Sequence, residues 1–299
     1  MVKSKKFHLQ FFAFTLFLLS WHPIRPVRGQ GVEEIEYDNR QGSLFGAVEE
    51  IEYDNRQGSL FGAVEVMEYD YRQGSPKGPE HWGELNEELE QCKDGKLQSP
   101  IDLFYSNARK AISRVDDLNM SYKPSKATMK HEHHAISIQW EGDAGSIQIN
   151  GTDYLLKRCH WHRSSEHFIN GRSYDLELHM VHQSQNNDVA VVAFLYQSGN
   201  PDPFLSKISN DVSSLSVTKE ARLGVINPSL IKWPSSRFYR YIGSLTAPPC
   251  TEGVIWSVSE EVRSVSKQQL GLIEQVDRGM NARPLQPLNN RDITLFGPQ

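Results

Sequence analysis

The chain has 299 residues, 38% hydrophobic and 23% charged, with a formal net charge of −5 at pH 7. That is the composition of a globular protein with room for one large domain or two small ones. The acidic balance excludes nucleic acid as a partner, because phosphate binding needs a basic footprint.

The first element is not part of a core. Lys3, Lys5 and Lys6 precede an almost unbroken apolar run from Phe11 to Trp21. A basic start followed by ~7–15 apolar residues is the pattern of a secretory signal peptide, and such a run is too short to span a bilayer. Residues 1–29 are therefore read as a signal segment cleaved near Gly29. They hold five basic and no acidic groups, so the chain beyond them carries −10. No later stretch is long and apolar enough to cross a membrane, so the reading is a secreted protein, with re-routing to another compartment such as a plastid as the alternative.

A repeat of sixteen residues follows. Val32–Ala47 recurs unchanged as Val48–Ala63, and a third copy opens at Val64 and drifts at Val66, Met67 and Tyr71. This period is shorter than the ~20–50 residues of stacking solenoid units. Residues 30–75 carry eleven acidic and three basic side chains, so this stretch is expected to be a solvated, disordered arm. An acidic docking or cation-binding arm is the alternative, and nothing in the spacing requires it.

From about Lys77 the texture changes, and residues 76–299 are expected to form one folded domain. Short alternating runs appear at His134–Trp140, Ser146–His162, Tyr174–His182, Val189–Tyr196, Phe238–Leu245 and Gly253–Val258. Asn150-Gly151 between apolar flanks predicts a two-residue hairpin turn. Ser266 with Gln269 forms a capping box before Leu270, Ile273 and Val276 at helical spacing, which predicts a late helix. Many strands and few helices predict a mainly β (α+β) domain on a mostly antiparallel sheet. Two sequons, at Asn119 and Asn150, are candidate glycan acceptors. In an oxidising compartment, Cys92, Cys159 and Cys250 predict one disulfide and one leftover thiol.

The chemistry centres on Lys157-Arg158-Cys159-His160-Trp161-His162. Alternate residues of a strand share a face, so His160 and His162 point the same way. A second run, Asp175 to Val181, puts Leu176, Leu178 and Met180 on an apolar face and Glu177, His179 and Val181 on the other. Paired antiparallel, the two strands bring three imidazoles to one point. Three nitrogens with a fourth position open is the catalytic arrangement for Zn2+, whereas a structural site takes four ligands and usually thiolates. Only Cys159 lies nearby, and it points to the opposite face. Glu177 is placed to accept the outward N–H of a ligating histidine.

Four segments in this order carry a specific resemblance: Gly78-Pro79-Glu80-His81-Trp82, Gln98-Ser99-Pro100-Ile101-Asp102, the His160–His182 block, and Gly243-Ser244-Leu245-Thr246-Ala247-Pro248-Pro249. From Gly78 to the C-terminus the chain resembles the alpha carbonic anhydrases, most of all the secreted plant members. The resemblance implies a twisted, mostly antiparallel sheet of ten strands, with zinc at the bottom of a conical cleft. It implies reversible hydration of carbon dioxide to bicarbonate and a proton, through a zinc-bound hydroxide. The implied ligands are His160, His162 and His179; Glu166 and Thr246 match the pair that orients the hydroxide. Val181, Val191, Leu245 and Trp256 match the apolar wall for carbon dioxide, and His134, opening a strand at His134-Ala135-Ile136, matches the proton shuttle. Tyr71 matches a cleft tyrosine, Cys92 and Cys250 match the family disulfide, and Arg283 matches a structural arginine.

One departure stands out. The family usually has Gln where this chain has Arg158, and arginine offers no hydrogen-bond acceptor. By alternation Arg158 shares the face of the three histidines, where its positive charge opposes zinc, so weaker zinc affinity or slower turnover is expected. Arg163, Ser164 and Ala247 also depart from the usual residues. The motifs leave two rivals. A carbonic-anhydrase-like storage or interaction protein would share the motifs with weak or no turnover. A cupin-type metal oxidase would use His160-x-His162 with Glu166, but its second motif is not found downstream.

Overall fold

A computed structural model describes residues 68–112, 118–233 and 237–297. The expected signal segment and the first two repeat copies lie outside the described residues. Among those described, fifteen strands and four α-helices follow one another. The first half holds β1 (Asp102–Leu103), β2 (Arg109–Ile112), β3 (Asn119–Tyr122), β4 (Ser125–Glu132), β5 (Ala135–Trp140), β6 (Gly145–Ile149) and β7 (Thr152–His162). There follow β8 (Phe168–Ile169), β9 (Leu176–Gln183), β10 (Val189–Ser198) and β11 (Glu220–Ile226). The last are β12 (Phe238–Ser244), β13 (Glu252–Ser259), β14 (Arg263–Val265) and β15 (Thr294–Gly297). The helices are α1 (Gln91–Asp94), α2 (Pro203–Lys207), α3 (Ser209–Thr218) and α4 (Lys267–Val276).

Thirteen strands form one sheet. Its main path has ten, in the order β11-β4-β5-β7-β9-β10-β13-β12-β15-β2, and β3, β6 and β14 attach beside it. Most pairs are antiparallel; β10 with β13, β10 with β14 and β15 with β2 are parallel. The expected fold class is present, but the sheet has thirteen strands rather than the expected ten, because β3, β6 and β14 attach beside the main path. Where the sequence shows alternation, the reason is visible in the packing. On one face of the central strands Cys159, Trp161, Leu178, Met180 and Val192 join a core closed by α2, α3 and α4. On the other, Val181, Val191, Tyr241, Trp256 and Val258 form a second core.

Two local signals behave as their chemistry requires. Asn150 and Gly151 both take positive φ, at 49° and 80°, between β6 and β7, as a type I′ turn demands. Ser266 and Gln269 exchange the two hydrogen bonds of a capping box at the start of α4. One expectation is corrected. His134 does not open a strand: β5 begins at Ala135, and His133 and His134 form the two-residue turn after β4 with φ of 49° and 62°. A two-residue hairpin needs positive φ at both central positions, and the tight β4–β5 register imposes it here.

Residues 68–75, counted above with the repeats, are folded onto the domain. Tyr69 and Tyr71 pack with Trp82, Leu89, Cys92 and Cys250. Cys92 and Cys250 form a disulfide that closes a separation of 158 residues, and Cys159 is a buried free thiol.

Candidate metal centre

β7 and β9 lie antiparallel, with His160 opposite His179 and His162 opposite Glu177. This register stacks the three histidines on the second-core face. Their ring centroids lie 4.9 Å (His160–His162), 5.2 Å (His160–His179) and 4.5 Å (His162–His179) apart. One ring nitrogen of each falls within 4.8 Å of the others. A second, overlapping group of His167, Glu177 and His179 meets the same distance, but there the groups hydrogen-bond one another.

Hydrogen bonds fix which nitrogen faces inward. His162 Nδ1 donates to the Asn281 carbonyl at 2.7 Å, so its lone pair is on Nε2, which is buried without a hydrogen-bond partner among the described residues. His179 Nε2 donates to Glu177 Oε1 at 2.7 Å, so its lone pair is on Nδ1. His160 differs: its Nδ1 is buried and has no hydrogen-bond partner among the described residues. Burial lowers all three imidazoles, His162 to about 4 and His160 well below the usual histidine value, so at neutral pH they are uncharged electron-pair donors.

The missing partner of His160 coincides with Arg158. Arg158 stands opposite Val181, after a register shift in β7, on the histidine face. Burial lowers its pKa and Glu132 acts against that. Its positive charge disfavours protonation of His160 and His162.

Two buried carboxylic acids back the cluster. Glu177 Oε2 accepts from the main-chain N–H of Glu166 and of His167, both at 2.8 Å, and Oε1 accepts from His167 Nδ1 at 2.6 Å and from His179. Burial pushes its pKa up, but His167 and His179 outweigh that and hold it well below the usual range. Glu166 Oε1 accepts from Arg283 N at 2.9 Å, while Oε2 lies 3.5 Å from His162 Nε2. Burial pushes Glu166 up to about 7. Thr246 stands beside it and favours the charged form, short of a full hydrogen bond to Oε2.

The remaining expected residues are distributed as follows. Val181, Val191 and Trp256 are buried in the second core with Leu245 packed against it, and the Trp256 ring lies 4.8 Å from that of His179. His134 is exposed; its Nε2 donates to the Tyr69 carbonyl at 2.7 Å. The Tyr71 ring lies 5.9 Å from it. Asn119 and Asn150 are exposed at the β3–β6–β7 edge. Arg283 is buried and donates to the Gln98 side chain and to the Ser99 and Cys92 carbonyls.

Two participants went unread in the sequence. His167 bridges Glu177 to the Tyr241 hydroxyl, its Nε2 lying 2.7 Å from it. Asn281 holds His162 through its carbonyl and reaches the His134 and Trp161 carbonyls through its side chain. His167 follows Glu166 directly, and Asn281-Ala282-Arg283 was noted only for its arginine, so each had a local cue.

The fold and the site define a protein with a buried three-histidine centre on the central strands of a twisted, mostly antiparallel sheet. Residues 77–296 match the family model described as eukaryotic-type carbonic anhydrase. Alpha carbonic anhydrase 7 of Arabidopsis thaliana is 45% identical over 227 residues, covering 74% of this chain and 82% of that protein. A crystal structure of dioscorin complexed with ascorbate superposes with a TM-score of 0.75 at 39% identity, over 78% of this chain and 99% of that one. The alpha-carbonic anhydrase from Thermovibrio ammonificans in complex with sulfanilamide gives 0.69 at 34%, over 76% and 98%. The chain belongs to the alpha carbonic anhydrase family. The cupin reading falls with that membership.

Proposed function

We propose that this protein is a zinc enzyme that hydrates carbon dioxide reversibly to bicarbonate and a proton. The observation that carries the reading is the convergence of one ring nitrogen each from His160, His162 and His179 within 4.8 Å. Their donor set fits the ion: three uncharged imidazoles, no thiolate, and a buried His162 Nε2 that has no hydrogen-bond partner among the described residues. Zinc held by these three would supply a nucleophilic oxygen from water at neutral pH, by lowering the water's pKa to ~7, a value established for carbonic anhydrases themselves rather than drawn from this structure.

The chain's own residues do the rest. Glu177 fixes the tautomer of His179 and, through His167, the position of the loop that carries Glu166. Thr246 stands beside Glu166; once its hydroxyl donates a hydrogen bond to that carboxylate, its oxygen can only accept from a nucleophile beside it. That nucleophile then presents a lone pair to the substrate. Val181, Val191, Leu245 and Trp256 make an apolar wall, which suits a substrate without charge or net dipole. His134 takes the released proton at Nδ1, since Nε2–H is engaged with the Tyr69 carbonyl, and its exposure lets it pass the proton to solvent. Secretion fits the disulfide and the apolar N-terminal segment, and Asn119 and Asn150 are the glycan acceptors in that route.

Metal analysis and a stopped-flow hydration assay on the mature protein test this reading. One zinc per chain with hydration, both lost in His179→Ala, is the expected result. A protein that takes up no zinc, or hydrates nothing when loaded, refutes it. One observation favours a second reading: Arg158 leaves His160 Nδ1 unpaired, as a storage or interaction member with weak turnover would tolerate. Zinc uptake without hydration would establish that alternative.

A further inference from the structure

We propose that the folded part of the third repeat copy, Glu68–Gly78, is a positioning clamp for His134. The inference rests on the proton-carrying role given to His134 above, and adds the element that holds it. His134 is fixed at both ends. Its carbonyl accepts from Asn281 Nδ2 at 2.7 Å, and its ring Nε2 donates to the Tyr69 carbonyl at 2.7 Å. The Tyr69 and Tyr71 rings stand edge-on to the imidazole with centroids 5.4 and 5.9 Å away, and both pack on the buried Trp82. A carbonyl oxygen can only accept, so Nε2 keeps its proton while Nδ1 keeps the lone pair.

The clamp is built to present that carbonyl. Asp70 accepts from the main-chain N–H and side chain of Arg72 and from the Ser75 hydroxyl, at 2.7–2.8 Å. Its own N–H donates to the Lys77 carbonyl, and Trp82 Nε1 donates to the carbonyls of Asp70 and Lys77. Gly78 closes the turn where a Cβ would meet the Arg72 carbonyl at 2.3 Å. The repeat itself marks the segment. Glu-Tyr-Asp-Asn-Arg-Gln-Gly-Ser stands at 36–43 and 52–59, and only Asn changes in the third copy, to Tyr71. The one changed position is a ring that packs on His134 and Trp82. The first two copies carry Asn39 and Asn55 at that position.

A clamped ring keeps Nδ1 at a constant distance from the proton it receives. Losing the clamp is expected to lower kcat about 3–10-fold through lost positioning. Proton exit follows substrate conversion, so kcat/KM stays within about twofold. The test uses the full zinc-loaded chain. In the wild type a His134 Nε2–H signal, protected from solvent exchange, is expected by 15N NMR. In Asp70→Ala, which removes the staple from a surface turn, and in Tyr71→Asn, the signal is lost, kcat falls and added imidazole restores it. An unprotected N–H in the wild type overturns the clamp. So does an unchanged kcat in both variants when His134→Ala lowers it. If His134→Ala changes neither kcat nor its response to imidazole, the proton-carrying role fails and the clamp with it; the N–H signal alone then still reports whether the geometry exists.

Discussion

Arg158→Gln is the most informative single change. His160 Nδ1 is buried with no hydrogen-bond partner among the described residues; with a metal on the other ring nitrogen it would be a donor without an acceptor, and such a group costs ~1–3 kcal/mol. A glutamine two residues before His160 on the same strand face puts a carbonyl oxygen within reach of it. At ~1.36 kcal/mol per decade, satisfying the donor raises zinc affinity by roughly 5- to 150-fold. That range brackets the ~10–100-fold typical for partners of metal-binding histidines. Removing the guanidinium also removes a positive charge that acts on His160 and His162. Arg158→Met separates the two effects, because it removes the charge and supplies no acceptor. Chelator competition reads the zinc dissociation constant, stopped-flow hydration reads turnover, and a thermal melt reports what Arg158 contributes beside Glu132. Should Arg158→Gln leave both zinc affinity and turnover within twofold of the wild type, the unpaired nitrogen is not what limits this centre.

Three further outcomes follow from the geometry. Glu177→Gln turns an acceptor of four donors into a group whose amide faces N–H groups; zinc affinity is expected to fall ~10–100-fold, read by the same chelator competition. Cys92→Ser with Cys250→Ser removes a cross-link over 158 residues and should cost ~2–5 kcal/mol in denaturant melts, with reductant then having no further effect. Asp277→Asn is expected to stabilise the protein at neutral pH. Burial pushes Asp277 up to about 6, so the unfolded chain ionises first and stability falls as pH rises from about 4 to about 6, then levels. The substitution abolishes that fall and gains at most ~3 kcal/mol at pH 7; melts from pH 4 to pH 7 check it, and an equal slope in both proteins refutes it.

How much of this was legible depends on distance along the chain. β7 and β9 were readable because one face of each is apolar and the other carries histidines and Glu177, so period-two alternation assigned both strand and face. The departure at Arg158 was readable for the same reason, and the unpaired His160 Nδ1 is its structural counterpart. β11 escaped notice because it is an edge strand with mostly exposed side chains, so Glu-Ala-Arg-Leu-Gly-Val-Ile lacks a clean alternation. α3 escaped because Ser-Asn-Asp-Val-Ser-Ser-Leu-Ser-Val-Thr reads as a loop by composition; only Val212 and Leu215 anchor it. The hold of Asn281 on His162 spans 119 residues, and no local pattern encodes which carbonyl arrives there. His134 was placed at a strand start because the histidine run hides a turn made without glycine.

The two buried carboxyls show how one backbone shifts like side chains in opposite directions. Both lose water, and burial alone would raise both. Glu177 receives two main-chain N–H groups and two imidazoles, and hydrogen bonds to the ionised form outweigh its desolvation. Glu166 receives one main-chain N–H, from Arg283, and sits near the Glu177 charge, so its pKa stays up at about 7. A divalent cation on the three histidines would add a positive charge on the side where Glu166 Oε2 lacks a partner. Glu166 is therefore the carboxyl whose protonation should follow metal loading, while Glu177 stays ionised with or without it. Carbonyl-stretch infrared spectra of apo and loaded protein separate the two: a protonated-acid band lost on loading and absent in Glu166→Gln is expected. A band that persists, or that disappears instead in Glu177→Gln, would mean the donors around these groups do not set their charge.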